Sequence, residues 1–390
     1  MEQAAENGSG SVAGRDWSAL PEDLLVSVLR ALHVADAVRS GAVRTSWNAA
    51  YAAFRRHRVP SPRQPPCLLY ASDAVGPGAA VLHCPATGAT LRLPFPLARR
   101  RPLLGSGHGW LVTADKASNL HLVNPITGAR AALPPITAIH HVKMGTDEHG
   151  GPAYNVYEDL LEYDYDKDLL EVDSEPTILD IDQAYWCMYD RVVLSASPAA
   201  GHACAVLLLH MPQGEVSFAR LGDERWTWVE PGDATGLPWR FGYTDAMYSA
   251  TDGLFYLLEN DASMFSLDLN GPSPVVRKML DAVPKSGTPT KYLVQTPAGD
   301  ILQVWRMRDY VHSPTSVQLP PDYMDDQGAN DQFLELKTID LQIYRVDPPG
   351  TAVGVDEELA RLCIDSWAQW LHVPSSNGFR WVKAELCLCY

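Results

Sequence analysis

Two short runs constrain this chain more than anything else in it. Cys84-Pro85-Ala86-Thr87-Gly88, followed by Leu93-Pro94, is echoed by Asn124-Pro125-Ile126-Thr127-Gly128, followed by Leu133-Pro134, each equivalent residue being displaced by 40 positions. A Pro-x-Thr-Gly turn joining two strands and recurring at this period is what a blade of a β-propeller gives. Later copies are less alike: Asp252-Gly253, Asn270-Gly271 and Ala298-Gly299-Asp300 mark comparable turns at less regular spacing. Dividing the roughly 325 residues after residue 66 by about 45 to 50 per blade predicts six or seven blades. A pair of β-sandwiches with a chance duplication is the alternative.

The surrounding texture agrees with a β body. From Cys67 onward the chain is a series of short apolar or alternating runs broken by Gly, Pro, Asn and Asp. Runs of strand length fall at 68–71, 91–93, 110–113, 120–123, 192–195, 203–210, 216–221, 254–258, 265–269, 292–296, 301–307 and 339–346. No long periodic helix separates them, which excludes a βαβ sheet.

The N-terminal stretch from Trp17 to Phe54 has a different period. Leu20, Leu24, Leu25, Val28, Leu29 and Leu32 recur every three to four residues and form one stripe of a helix. Pro21 suits the first helical position, and Glu22 and Asp23 set negative charge against the helix start. A second short helix is predicted at Asp36 to Ser40, and a third carries Val43, Trp47, Ala50, Tyr51 and Phe54 on one face. Three short helices in some forty residues cannot cover all of this apolar surface themselves, so part of it must meet a partner.

The run Leu20-Pro21-Glu22-Asp23-Leu24-Leu25, with Val28-Leu29, Leu32, Asp36, Arg39, Val43 and Trp47, resembles the F-box. In that family the module docks substrate receptors onto the small adaptor subunit of cullin-RING ubiquitin ligases. Arg44 stands where the family usually has Cys, which puts the local fit in question. The resemblance implies that Leu20, Pro21, Leu24, Leu25, Val28, Leu29, Leu32, Val43 and Trp47 bind the ligase adaptor and, through it, cullin. An ordinary helical hairpin packed on its own body is the plainer reading.

These readings divide the chain into a polar lead at 1–15, a helical module at 16–59, a linker at 60–66 and a propeller at 67–390. The linker has four prolines in seven residues and is expected to be stiff. Within the last part lie an acidic insertion at 158–182 and a divergent C-terminus at 347–390. The fold class expected is therefore α+β and multidomain: a three-helix module, then an all-β propeller, with a possible C-terminal helix over Asp356 to Leu371. Trp381 to Cys389 should pair with an early strand near Leu68 or leave the ring incomplete, because an unpaired sheet edge invites aggregation.

Charge and composition exclude several functions. The net charge is −16, and it is uneven: residues 1–63 carry +2 and the remainder −18. An acidic body of that size repels phosphate backbones, so no nucleic-acid partner is expected and a basic protein surface is favoured. No run of eighteen apolar residues exists, and the lead lacks a secretory pattern, so no membrane role is expected. Seven cysteines, an odd number scattered from Cys67 to Cys389, fit reduced thiols in cytosol or nucleus.

A second resemblance covers about 67 to 346. The segments Gly105-Ser106-Gly107-His108-Gly109-Trp110-Leu111-Val112, 122–128, Trp226-Thr227-Trp228, Tyr292-Leu293-Val294 and 302–306, taken with the F-box, look like plant F-box proteins carrying a KIB-type β-propeller. This implies a substrate receptor and names no substrate. The C-terminus departs from the family, which usually continues through a Trp-rich strand pair and a last blade.

Other constellations carry little chemistry. Asp164, Asp166, Asp168 and Glu175 occupy calcium-loop positions, but Leu169 stands where that loop needs Gly. His140-His141 and Cys387-x-Cys389 have no second ligand pair at zinc spacing, so no metal or cofactor is assigned. Gly105-Ser106-Gly107-His108-Gly109 lacks the Lys of a phosphate loop. Trp226 and Trp228 could line a target-binding face, although tryptophans in such a body more often fill wedges between blades. The resulting expectation is a non-catalytic substrate receptor of an SCF-type ligase that holds a protein target for ubiquitination. A propeller-scaffold enzyme such as a glycoside hydrolase, with two acids about 5 to 9 Å apart, is the alternative. A binding module acting without ligase assembly lies between the two.

Overall fold

The computed structural model describes residues 20–32, 34–56, 67–70, 76, 79–84, 87–93, 103–157, 161–162, 170–171, 175–211, 214–238, 242–283, 289–296, 298–312, 317–318, 334–346, 354–355 and 386–387. The polar lead, the linker at 60–66, the expected C-terminal helix and the calcium-type positions Asp164, Asp166 and Asp168 lie outside these residues.

Three helices open the chain: α1 (Glu22–Ala31), α2 (Val34–Gly41) and α3 (Thr45–Arg56). Pro21 is the N-cap of α1 and not its first helical residue; its carbonyl accepts the Leu25 amide at 3.1 Å, and Glu22 and Asp23 face the positive helix end. Val43 lies in the turn between α2 and α3, two residues before α3 begins and not on its face as expected. Leu25, Leu29, Ala37 and Ala50 form a small core, with Leu20, Leu32, Trp47, Tyr51 and Phe54 packed around it. A Cβ at Gly41 would run into the Tyr51 ring, so glycine lets α2 close on α3. Arg44 is exposed, so its departure from the family pattern falls on the surface. Arg39 donates to the Thr90 carbonyl at 2.6 Å and so ties α2 to the first sheet.

The rest is a propeller-like array of antiparallel sheets. Among the described residues there are six sheets of three or more strands, plus a two-stranded hairpin (Leu161–Glu162 with Leu170–Glu171) inside the acidic insertion. The repeat explains how the first two sheets correspond. In both, the Thr-Gly turn joins the third and fourth strands, Gly88 and Gly128 have φ of 69° and 70°, and the threonine hydroxyl accepts the amide two residues on. Only glycine takes that left-handed conformation without strain. The second sheet begins with its own strand Gly105–Gly107, whereas the first takes its leading strand from the far end of the chain, Leu386–Cys387. Cys67 pairs with Cys387 and Leu68 with Leu386, one of the two arrangements anticipated for the C-terminus.

Apolar wedges fill the spaces between sheets. The strand Ala205–His210 is buried at every position, because its two faces serve different wedges. Val206 and Leu208 join the core shared by the second, third and fourth sheets, while Ala205, Leu207 and Leu209 join the core facing the fifth. Phe255 and Leu257 against Tyr256 and Leu258 repeat this alternation between the wedges on either side of the fifth sheet. A strand packed on both faces therefore reads as continuous apolar sequence.

The leading strands lie side by side along Leu386–Cys387, Gly105–Gly107, Tyr189–Leu194, Tyr243–Ser249 and Thr290–Gln295. The second sheet meets the fourth directly: the Val192 amide donates to the Leu104 carbonyl at 2.9 Å, and Gly105 passes so close to the Val192 carbonyl that no side chain fits. The third sheet (Val142–Thr146, Pro152–Val156, Thr177–Asp180) adds Val142, Tyr154 and Val156 to their common core. The run Gly105 to Gly109 is a hairpin whose turn residues His108 and Gly109 both have positive φ, at 53° and 75°.

Candidate functional site

The helical module separates its apolar residues into two sets. Leu25 and Leu29, four apart on α1, point inward and are fully buried. Leu24 and Val28, one position earlier in each case and so turned about 100° away, sit 49% and 37% exposed, and Val43 in the turn after α2 is 67% exposed. Pro21 is exposed, and Leu20, Leu32 and Trp47 are half-buried at the module's edge. Large aliphatic side chains left in water at i and i+4 on one helix, with a third close by in sequence, are what a docking face presents. The structure thus places the residues of the expected adaptor-binding set in two environments. Leu25 and Leu29 lie in the core that holds the helices together, while Leu24, Val28 and Val43 are exposed to solvent.

The two tryptophans singled out for target binding part ways. Trp226 is buried in the wedge shared by the second to fourth sheets, and its Nε1 donates to the Pro134 carbonyl at 3.1 Å. It fills a wedge between sheets. Trp228, at the end of strand Thr227–Trp228, is half-buried and stacks on His140 with ring centres 4.3 Å apart and planes 20° apart.

That stack belongs to a polar cluster that sequence spacing did not reveal. His140 and His141 leave a short helical turn (Ile136–Ala138) just before the strand Val142–Thr146. Glu215 opens the strand Glu215–Arg220, directly across from His210 at the end of Ala205–His210. Gly214, with φ of 78°, lets this hairpin turn pass close against the Tyr243 backbone. Glu215 Oε2 then lies 3.6 Å from His140 Nε2 and 3.7 Å from His141 Nδ1.

His210 is fully engaged. Its Nδ1 faces the Met211 carbonyl at 2.6 Å, so that nitrogen carries the proton, and its Nε2 accepts from the Ser217 hydroxyl at 2.8 Å. His141 stacks on it at 5.3 Å. Burial holds both rings neutral, lowering His141 to about 3 and His210 to about 4. Neither nitrogen of His141 makes a hydrogen bond of normal geometry, although the side chain is almost entirely buried. No sequence rule pairs residues 140 and 141 with residue 215, because neighbouring sheets bring them together.

A second buried polar group stitches three leading strands. Asp245 accepts the Leu293 amide at 2.7 Å and faces Arg191 Nε at 3.0 Å. Among the described residues no helix is long and apolar enough to cross a membrane.

A family model described as KIB1-4 beta-propeller matches residues 81–373. The F-box protein At5g25290 of Arabidopsis thaliana is 27% identical over 134 residues, which covers 34% of this chain and 32% of that protein. The match thus spans about a third of the relative's length. Among solved structures, YCF48 bound to D1 peptide covers 76% of this chain and 83% of that chain at 7% identity and a TM-score of 0.29. The Cps50 (Swd1) β-propeller domain of Myceliophteria thermophila covers 72% and 93% at 9% identity and 0.32. Superpositions this loose do not speak for a shared fold.

Proposed function

The chain belongs to the KIB1-4 β-propeller family, and on that premise we propose that it is the substrate-receptor subunit of an SCF-type cullin-RING ubiquitin ligase. The coarse role, a protein-interaction module, follows from the propeller family and from likeness to a plant F-box protein. The finer role rests on one observation: Leu24, Val28 and Val43 stand exposed on a helical module whose own core is already filled by Leu25 and Leu29. Covering such side chains is favourable by tenths of a kcal/mol to a few kcal/mol each, which is how a short module grips an adaptor. In this reading the β body holds a protein target, and the chain contributes proximity while other subunits carry out the chemistry. It acts as an adaptor and not as an enzyme.

The test is reconstitution with purified adaptor and cullin. The double substitution Leu24→Asp and Val28→Asp sets two carboxylates into the apolar contact and abolishes co-purification, while the chain stays folded because both positions already face water. Adaptor binding retained by that variant refutes the docking model.

A further inference from the structure

We infer that His140, His141 and Glu215 form a binding site for one divalent transition-metal ion of the zinc type, independent of the ligase-docking reading. Three donor atoms of the right chemistry, two imidazole nitrogens and a carboxylate oxygen, lie within 4.8 Å of one another. Two of their separations are 3.6 and 3.7 Å. A tetrahedral zinc ion with bonds of 2.0–2.2 Å holds its ligand atoms about 3.3 to 3.6 Å apart, so small side-chain movements complete the site. Zinc suits mixed nitrogen and oxygen donors, and a site with three protein ligands keeps one position open.

The surroundings favour metal over an internal hydrogen-bond network. His141 is almost wholly buried, yet neither of its nitrogens makes a normal hydrogen bond. With only the Glu215 carboxylate at 3.7 Å and the Met211 carbonyl nearby, this buried imidazole recovers little of its lost solvation, and a metal bond to one nitrogen restores part of it. His210 does not compete for the ion, since Met211 and Ser217 occupy both of its nitrogens. It packs against His141, and Trp228 stacks on His140, so both ligand rings are oriented before any ion arrives. His140 keeps 28% of its side chain exposed, which places the open fourth position on the solvent side, where water completes the shell. Bound metal ties the approach to the third sheet to the hairpin of the fourth.

The experiment uses the full chain without a histidine tag, stripped with a chelator and titrated with zinc and with cobalt ions. One equivalent of zinc binds and raises the melting temperature, and cobalt gives the intense visible absorption of tetrahedral coordination. Cobalt also quenches fluorescence from Trp228, a loss that disappears in Trp228→Phe. His140→Ala, a partly exposed position that leaves the core intact, and the near-isosteric Glu215→Gln each weaken zinc at least on the order of tenfold, since even partners outside the coordination shell are worth 10- to 100-fold. His149→Ala, at a fully solvated histidine, leaves affinity unchanged. The proposal is overturned if the native chain takes up no stoichiometric metal. It is equally overturned if His140→Ala and Glu215→Gln bind zinc as the native chain does.

Discussion

Neighbouring residues on α1 should respond to the same substitution in opposite ways. Val28 and Leu29 are adjacent, but Val28 is 37% exposed and Leu29 lies at the centre of the module's core. Fully burying a Val or Leu side chain is worth about 1.5 to 3 kcal/mol, and only the fraction still exposed remains for a partner to cover. Scaled by exposures of 49%, 37% and 67% for Leu24, Val28 and Val43, covering all three is worth about 2 to 5 kcal/mol. The triple alanine variant should therefore bind the adaptor at least about 30-fold more weakly while its helices keep their stability. Leu29→Ala instead opens a cavity and destabilises the module by about 2 to 5 kcal/mol. Hydrogen exchange read on α1, alongside titration calorimetry with purified adaptor, separates the two effects. The triple variant loses affinity with unchanged exchange, and Leu29→Ala speeds exchange throughout α1 to α3. If the triple variant binds normally, or exchanges as fast as Leu29→Ala, the division into outer and inner faces is wrong.

Three further outcomes follow from the β body. Asp245→Ala strips the Leu293 amide of its acceptor and Arg191 of its counter-charge, so the urea midpoint should fall by an amount equivalent to about 3 to 5 kcal/mol, and Asp245→Asn, which keeps an acceptor, should lose clearly less. Burial holds the Glu259 carboxyl above its ordinary range despite the Ser263 hydroxyl donating to it, so the native chain binds that proton more tightly than the unfolded chain. The resulting stability is present at low pH and lost as pH rises through the folded value; Glu259→Gln should raise the melting temperature at pH 7 and give no gain at pH 4, and a gain equal at both would contradict this. Ending the chain before Leu386 removes the leading strand of the first sheet and bares the Cys67–Tyr70 edge, so the melting temperature should drop and light scattering should reveal concentration-dependent association.

Much of this protein was legible because the relevant physics is local. The Pro-x-Thr-Gly repeat marked two equivalent turns, since a left-handed glycine beside a threonine that hydrogen-bonds two residues ahead needs only neighbours in the chain. Ala205–His210 and Leu254–Glu259 were visible as strands because packing on two faces demands unbroken apolar sequence. Tyr243–Ser249, which mixes Thr, Asp and Ser with apolar residues, left no such trace, because Asp245 is paid for by partners on two other sheets. The strand Pro152–Val156 and the short helix α4 (Ala184–Met188) were likewise too brief and too mixed to announce themselves.

The sequence alone determined that the chain has an amphipathic helical module followed by a β body, and it carried the leucine pattern of α1. Tertiary structure decided which leucines face water, because a stripe three to four residues wide spans both the buried side of a helix and its margin. It also decided that Trp226 fills a wedge, that Leu386 and Cys387 belong beside Cys67 and Leu68, and that Glu215 meets His140 and His141. Each of these is a contact between residues far apart in the chain. Periodicity records which neighbours a residue needs along its own element, and it holds no trace of what a different sheet will bring to it.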